Sequence, residues 1–306
     1  MTRPSPYVRR RWLGREIRRL REEHGVRGDA LARAVGFSRQ QLSALENGHL
    51  GPDIDLVSGI CDYLAVGANR RTAIMDAAAD GWTRGWWMAN PDQMGLRQVT
   101  YADLESGASV INEFSMLVPG LLQTPAFSNA RLRSDLSQND KFDPDAAVAA
   151  RAHRQRLLLA AGGPQRYEAI IDETAVRRDA ADPIVAAEQF RHIVTICETH
   201  RSVIVRVLPM GASVRNCSSP KSAYSIYRYG DPQDPQGLQA VAVDTLTRDL
   251  IFTDADEVDP YISMHSRLRA AALSIDSSMR LLREIAEKLS PMEKESRRDH
   301  TPVRLA

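Results

Sequence analysis

Apolar residues recur at helical spacing in the first quarter of the chain. Leu13, Ile17 and Leu20, and then the ring of His24, follow one another at intervals of four, three and four residues, with arginines and glutamates between them. This spacing places the four side chains on one face of a helix. Gly25 follows, and glycine commonly ends helices because it tolerates the left-handed conformation. The pattern predicts a first helix from Leu13 to His24.

Three further short helices are predicted before residue 68. The second covers Asp29 to Val35, and the third is capped by Ser38 and ends at Asn47-Gly48. Asp53 is a suitable cap for the fourth helix. Short helices of this kind, two of them joined by a tight turn, are typical of a helix-turn-helix domain.

Beyond residue 95 the pattern alternates between helical and strand-like segments. Helices are predicted at 144–159, after Asp182-Pro183, and in a last stretch that begins near Tyr261. Strands are predicted at SVINEF, YEAIID, VIVRVLP, SAYSIYRY, AVAVD and DLIF. Strands mixed with helices predict an α+β domain with a mixed sheet. The predicted fold class is therefore an all-α helix-turn-helix N-terminal domain joined to a larger α+β C-terminal domain.

The same pattern divides the chain into five parts. Residues 1–12 contain arginines and two prolines but no apolar periodicity, which predicts a flexible basic arm. The other parts are the helix-turn-helix domain at 13–68, a linker helix with a tryptophan cluster at 69–94, the α+β domain at 95–290 and a disordered tail at 291–306.

Composition adds an asymmetry of charge to this division. The 306 residues carry a net charge of only +1, so the whole molecule is not a polycation. From Met1 to Arg70, however, twelve Arg and no Lys stand against eight Asp and Glu, an excess of four positive charges. A basic N-terminal module joined to a mildly acidic body is the arrangement expected of a DNA-binding head.

The cysteines and the apolar runs indicate where the protein works. Cys61, Cys197 and Cys217 are far apart and form no CxxC pair, which predicts reduced thiols and no structural zinc site. No apolar run approaches the roughly 20 residues of a membrane helix, and the start has no apolar signal-peptide region. The sequence predicts a cytoplasmic protein that contacts no membrane.

The N-terminal module resembles a known family. ALARAVGFSRQQLSALENGHLGPDIDLVSGICDYLAV is similar to the Cro and phage-repressor type (XRE-like) helix-turn-helix domain, with LENG as its most specific part. The resemblance implies that the helix from Ser38 to Asn47 lies in the major groove of double-stranded DNA. It also implies that Arg39, Gln40 and Ser43 contact base edges, since arginine can pair with guanine and glutamine with adenine. The full set of predicted DNA-binding residues is Arg27, Ser38, Arg39, Gln40, Ser43, Ala44 and His49.

Two further expectations follow from this resemblance. A glutamine that usually contacts phosphate is replaced by Gly28, and the neighbouring Arg27 is a candidate to supply that contact instead. Glu46 is expected to be buried, and a lone buried carboxylate is costly. The resemblance places Arg21 opposite Glu46, which implies a structural ion pair.

The tryptophans of the linker have two interpretations. Trp82, Trp86 and Trp87 form a cluster in which an aromatic box for a ligand is possible. Packing of the linker onto the C-terminal domain is favoured, because aromatic residues commonly anchor interfaces.

The C-terminal segment also carries a resemblance. VPGLLQTPAF, RQRLL at Arg154 to Leu158, VRVLP and the last helix pair resemble the C-terminal domain of actinobacterial antitoxin-like regulators, the WhiJ-like group. This resemblance implies a response to a small partner protein or to a ligand, and it implies no catalytic residue. Gln123 is a candidate ligand contact, although turn and core packing explain VPGLLQT first.

Catalytic and metal motifs are not found in the sequence. His192, Cys197 and His200 share a predicted helix but point in divergent directions, and no P-loop, GxGxxG, GxSxG or HExxH occurs. We expect no metal, no cofactor and no enzymatic activity.

The sequence therefore predicts a DNA-binding transcriptional regulator, a repressor, that binds a palindromic site as a homodimer. Its C-terminal domain is expected to respond to a small-molecule ligand or a small cognate protein. The alternative is an antitoxin-like protein that mainly neutralises a small cognate protein. A DNA-tethered enzyme is a third interpretation, which requires a convergent polar pocket.

Overall fold

The N-terminal domain is built from five helices. The computed structural model describes residues 4–79, 85–133, 143–178, 180–214, 220–231, 237–245 and 249–299. The helices are α1 (Pro6–Glu23), α2 (Gly28–Ala34), α3 (Arg39–Glu46), α4 (Ile54–Tyr63) and α5 (Ala68–Ala79). Their apolar faces enclose one core, which includes the buried side chains of Leu13, Ile17, Leu31, Leu42 and Ile60. The helix-turn-helix arrangement predicted from the apolar spacing is confirmed.

The first helix begins seven residues earlier than predicted. The Ser5 hydroxyl oxygen accepts a hydrogen bond from the Val8 amide at 3.2 Å, and Pro6 occupies the first turn, where no amide hydrogen is needed. Val8 itself is buried in the core of the C-terminal domain. The prediction of a flexible arm is therefore wrong from residue 6 onward, because tertiary packing orders this turn.

The same helix joins the two domains. At its start, the Ser5 hydroxyl and the Tyr7 amide both donate hydrogen bonds to Asp103 of the C-terminal domain, the amide at 3.1 Å. Three turns further on, Arg15 forms an ion pair with Asp254 and donates to a neighbouring backbone carbonyl at 2.6 Å. Helix α1 thus contributes to both cores, and its position depends on contacts at its start and near its middle.

The segment between the domains is not one helix, as the sequence predicts for 69–94. Helix α5 ends at Ala79, and Gly85 has an extended conformation before a 3₁₀ turn at Trp86–Met88. A separate short helix, α6 (Pro91–Met94), then begins at a proline. The prediction of one helix is wrong for the described part of this segment, because glycine and proline interrupt the helical periodicity.

The C-terminal domain contains a six-stranded mixed sheet in the order β3-β2-β1-β4-β5-β6. Strands β1, β2 and β3 are parallel, and β4, β5 and β6 continue the sheet in antiparallel pairs. The strands are β1 (Ala108–Ser115), β2 (Arg166–Asp172), β3 (Val203–Leu208), β4 (Tyr224–Tyr229), β5 (Gln239–Val243) and β6 (Leu250–Phe252). The α+β class with a mixed sheet is confirmed.

Helices cover both faces of this sheet. They are α7 (Leu96–Glu105), α8 (Pro125–Arg133), α9 (Pro144–Leu159), α10 (Glu173–Arg177), α11 (Pro183–Thr199), α12 (Ala255–Ala271) and α13 (Ile275–Asp299). Ile111 of β1 packs in one core with Phe190 of α11 and Leu282 of α13. Phe114 of the same strand packs in another core with Leu268 of α12. Alternate strand residues point to opposite faces, so one strand contributes to both cores.

The last helix continues to Asp299, where the sequence predicts a disordered tail from residue 291. Glu, Lys and Arg predominate between residues 292 and 298 and are good helix formers, so they extend the preceding helix. Residues 300–306 lie outside the described part of the chain. None of the helices described is both long and apolar enough to cross a membrane.

Candidate functional sites

Helix α3 presents a polar end to solvent. Its start is fixed by a capping box, in which the Gln41 amide donates to the Ser38 hydroxyl oxygen at 3.1 Å and the Ser38 amide donates to Gln41 Oε1 at 3.0 Å. Ser38, Arg39, Gln40 and Gln41 are exposed, whereas Ser43 is half-buried. The Ser38 hydroxyl proton remains available to a phosphate. Gln41 is not among the predicted site residues, although its capping-box spacing from Ser38 indicates it.

The other predicted DNA-binding residues lie on α3, beyond its end and before α2. Ala44 is half-buried and His49 is exposed just beyond the helix. Arg27 is exposed and pairs with Asp29 at 3.2 Å. Asn47 folds back onto its own helix and donates to the Ser43 carbonyl at 2.7 Å. The seven predicted residues therefore lie at the start of α2, along α3 and just beyond the end of α3.

Arg39 lies against the start of the preceding helix. A Cβ atom on Gly28 would come within 2.7 Å of the Arg39 guanidinium carbon. The guanidinium therefore occupies space that a side chain at position 28 would fill. Arg39 therefore places a hydrogen-bond donor close to where the family resemblance implies a phosphate contact from position 28.

The opposite side of α3 is held by a buried ion pair. Arg21 Nε donates to Glu46 Oε1 at 2.6 Å and Nη2 donates to Oε2 at 3.2 Å, so the pairing is bidentate. Arg21 also donates to the Val26 carbonyl at 3.1 Å. The hydrogen bond to Glu46 raises the pKa of Arg21. The pair implied by the resemblance is present, and it connects α1 to α3.

A close backbone contact sets the distance between α1 and α3. A Cβ on Gly14 would lie 2.5 Å from the Leu45 carbonyl oxygen and 2.6 Å from that of Glu46. At the end of α3, Gly48 adopts a positive φ of 67°, and Arg11 donates to the Asn47 carbonyl at 2.8 Å. Helix α1 therefore fixes the end of α3, and only glycine fits at position 14 without moving one of the two helices.

A polar cavity of about 470 Å³ lies in the C-terminal domain, between α7, α9 and the central strands β1 and β4. Arg154 is buried at one side, where Nε donates to Glu105 Oε2 at 2.8 Å and Nη1 donates to the Gln98 side chain. Glu113 is opposite and accepts a hydrogen bond from the Tyr167 hydroxyl at 2.7 Å. This is the convergent polar pocket that the enzyme interpretation requires.

Burial alters the protonation of the cavity carboxyls. It raises the pKa of Glu113 to about 7, and the nearby charge of Asp244 acts in the same direction. Burial likewise raises the pKa of Asp244, although the Tyr101 hydroxyl donates a hydrogen bond to that carboxylate and acts in the opposite direction. Near neutral pH, Glu113 is therefore divided between its protonated and ionised forms.

A rise in pH is expected to destabilise the C-terminal domain through Glu113. Its folded pKa exceeds the ordinary value, so between about 4.5 and about 7 the folded state binds more protons than the unfolded state. The stabilisation is complete below this window and is lost as pH rises through it, by up to about 3 kcal/mol. Urea unfolding at a series of pH values measures the change.

Glu113→Gln is the variant that isolates this carboxyl. The glutamine still accepts a hydrogen bond from the Tyr167 hydroxyl but does not ionise. The difference in unfolding free energy between variant and wild type should therefore change between about pH 4.5 and about pH 7. The exposed Glu188→Gln should leave the wild-type profile unchanged. Parallel profiles for Glu113→Gln and wild type would contradict the prediction.

The tryptophans anchor the segment after α5 to the C-terminal domain. Trp87 is buried, and the ring centroids of Trp86 and His153 of α9 lie 4.2 Å apart. Both tryptophans also line an apolar cavity of about 340 Å³ next to the polar one. The favoured packing interpretation agrees with these contacts. Trp82 lies outside the described residues.

Gln123 is held at the wall of the polar cavity. Its Nε2 donates to the Val118 carbonyl at 2.7 Å, and its Oε1 accepts from Ser128 at 2.9 Å and from Arg151. This residue therefore positions Arg151, which the sequence analysis did not single out. Arg151 and Arg154 lie three residues apart on α9, so they share a helix face.

The N-terminal fold and the exposed polar end of α3 define a helix-turn-helix DNA-binding domain, and residues 12–74 match the family model of a helix-turn-helix domain. The chain is a DNA-binding regulator of this class. Residues 98–284, more than half of the chain, match the domain of unknown function DUF5753, and the chain belongs to that family. No curated protein and no solved structure gives a significant match.

Proposed function

We propose that the protein is a sequence-specific repressor that binds a palindromic operator as a homodimer and whose C-terminal domain controls binding. The observation that carries this proposal is the division of α3. Arg39, Gln40 and Gln41 face solvent at its start, while Leu42 and Leu45 are buried and Glu46 is paired with α1. A helix held on one side and polar at its exposed end is suited to major-groove readout.

The C-terminal domain supports the regulatory part of the proposal. Its resemblance to WhiJ-like regulators implies a response to a ligand or a small partner protein. We favour binding over catalysis in the polar cavity, because each carboxylate there is engaged by a protein side chain. Arg154 holds Glu105, Tyr167 holds Glu113 and Tyr101 holds Asp244.

Replacing Arg39 by alanine tests the operator contact. We expect specific binding to weaken by about 1 to 3 kcal/mol and selectivity to relax at one base pair of each half-site. The measurement is selection of bound DNA from a random library, followed by titration of the selected site. Arg283→Ala removes the same charge from α13 and should change neither the affinity nor the selected sequence. An unchanged preference in Arg39→Ala would remove this residue from the interface.

Gly28→Ala tests the same Arg39 side chain from the neighbouring helix α2. Its Cβ would displace the Arg39 guanidinium, which can move because it is the end of a flexible side chain. We expect a changed base preference at the position that Arg39→Ala relaxes, with little change in unfolding free energy.

A further inference from the structure

Arg151 is a guanidinium at the polar cavity whose described hydrogen-bond partners are neutral. It donates to the Gln123 side chain and to the Ser128 hydroxyl, the latter at 3.1 Å. Its Nε is buried and has no hydrogen-bond partner among the described residues. By contrast, Arg154, three residues further along α9, pairs with Glu105. Arg151 is half-buried and has no ion pair among the described residues. A partly desolvated cation without an opposite charge is costly, so Arg151 is suited to bind an anion.

The wall that faces α9 carries hydrogen-bond acceptors. Glu113 and Asp244 both line the cavity, and each accepts one hydrogen bond from a tyrosine. A carboxyl group has further lone pairs beyond one accepted bond. These acceptors suit a hydroxyl or ammonium group, and they repel an anion with two charges. A singly charged anion is therefore the better match for the cavity as a whole.

We propose that this cavity binds a small molecule with one carboxylate and at least one hydroxyl or ammonium group. The carboxylate pairs with Arg151, and the donor group binds Glu113 and Asp244. The volume of about 470 Å³ falls within the range of about 300 to 1,000 Å³ that is usual for small-molecule sites. The site is preorganised, because hydrogen bonds to Gln123 and Ser128 fix the Arg151 side chain.

The site is connected to the DNA-binding domain through α7. Gln98, Tyr101 and Glu105 line the cavity from this helix, and their spacing places them on one face. Asp103 of the same helix holds the start of α1 through Ser5. A molecule bound against α7 therefore acts on the helix that also fixes α3. This step rests on the proposed function, whereas binding itself does not.

The test uses the full chain without DNA and three probes of known chemistry. L-Serine has the carboxylate and the donor groups, acetate has the carboxylate alone and ethanolamine has the donors alone. At equal ionic strength we expect L-serine to raise the midpoint of thermal unfolding more than acetate does, because a ligand that binds the folded state stabilises that state. Ethanolamine should leave the midpoint unchanged.

Arg151→Gln should weaken L-serine binding at least tenfold in calorimetric titration. The exposed Arg156→Gln on the same helix is the matched control and should bind as wild type does. Glu113→Gln, which keeps the neutral hydrogen bonds of the site, should reduce the advantage of L-serine over acetate. Equal losses of L-serine affinity in Arg151→Gln and Arg156→Gln would overturn the proposal. Stronger binding of inorganic phosphate than of L-serine at Arg151 would also overturn it. A wild-type chain whose unfolding midpoint responds to none of the probes would have the same consequence.

Asp103→Ala then separates the site from its effect on DNA. It should still bind L-serine, but its operator affinity should no longer respond to the probe. If the wild-type chain binds L-serine yet binds no operator, the proposed function fails and the ligand site stands. If it binds an operator but none of the carboxylate probes, the ligand site fails and the proposed function stands.

Discussion

Replacement of Glu46 by alanine is expected to lower the unfolding free energy of the N-terminal domain by about 3 to 5 kcal/mol. The substitution removes the carboxylate that accepts two hydrogen bonds from Arg21, and it leaves that largely buried guanidinium with only the exposed Glu22 as a partner, at 3.4 Å. DNA binding should fall with it, because α3 loses its connection to α1. Urea unfolding monitored by circular dichroism measures the stability directly.

The double variant Arg21→Met/Glu46→Leu separates the charge from the packing. Apolar residues of similar volume commonly replace a buried ion pair with little loss of stability, so we expect the double variant to recover most of the loss. Asp76→Ala, which removes an exposed carboxylate from α5, should change stability by less than about 1 kcal/mol. A loss of similar size in Asp76→Ala and Glu46→Ala would show that the pair contributes nothing specific.

Gly14→Ala is expected to destabilise the same domain by about 3 kcal/mol. The new Cβ would overlap the Leu45 and Glu46 carbonyl oxygens, which are backbone atoms and cannot rotate away as a side chain does. Helix α3 must then move from α1, and the recognition surface moves with it. We therefore expect operator affinity to fall even in the fraction that remains folded, as measured by titration well below the unfolding midpoint.

Gly59→Ala is the matched control. Gly59 lies within α4, and a Cβ there would meet nothing within 4 Å. Alanine is a better helix former than glycine by about 1 kcal/mol, so this variant should be more stable than wild type. A destabilised Gly59→Ala, or a Gly14→Ala as stable as wild type, would contradict the packing described between α1 and α3.

The elements that the sequence predicts well are those with strong local periodicity. Helix α9 covers Pro144–Leu159 as predicted, and the six predicted strands correspond to the six strands of the sheet. In both cases the signal is local, because a capping residue, a proline or an alternation of apolar and polar residues marks the element. The mixed sheet follows from the same alternation of strands and helices.

The first turn of α1 is misjudged because its order depends on a distant residue. Asp103, which is 98 residues from Ser5, holds this turn, and no local pattern records that contact. The break in the segment 69–94 is a different case, because Gly85 and Pro91 are local signals that the prediction of one helix does not take into account.

The candidate sites divide in the same way. The pair of Arg21 and Glu46 could be predicted because the helix-turn-helix resemblance implies it at these two positions. The position of Arg39 beside Gly28 was not predicted, since it depends on how α3 packs against α2. The polar cavity was missed because α7, β1, α9 and the residue after β5 each contribute one or two charged side chains that look ordinary alone.

Helix α1 limits how freely the two domains can be exchanged between related proteins. A fragment that begins at residue 12, where the helix-turn-helix match begins, keeps Leu13 and Ile17 in the N-terminal core. It lacks Val8, which packs in the core of the C-terminal domain. A chimera that joins this N-terminal domain to another C-terminal domain needs a hydrogen-bond acceptor for Ser5 and a carboxylate for Arg15, at the positions of Asp103 and Asp254. Such a chimera must therefore transfer the N-terminal domain together with its docking positions.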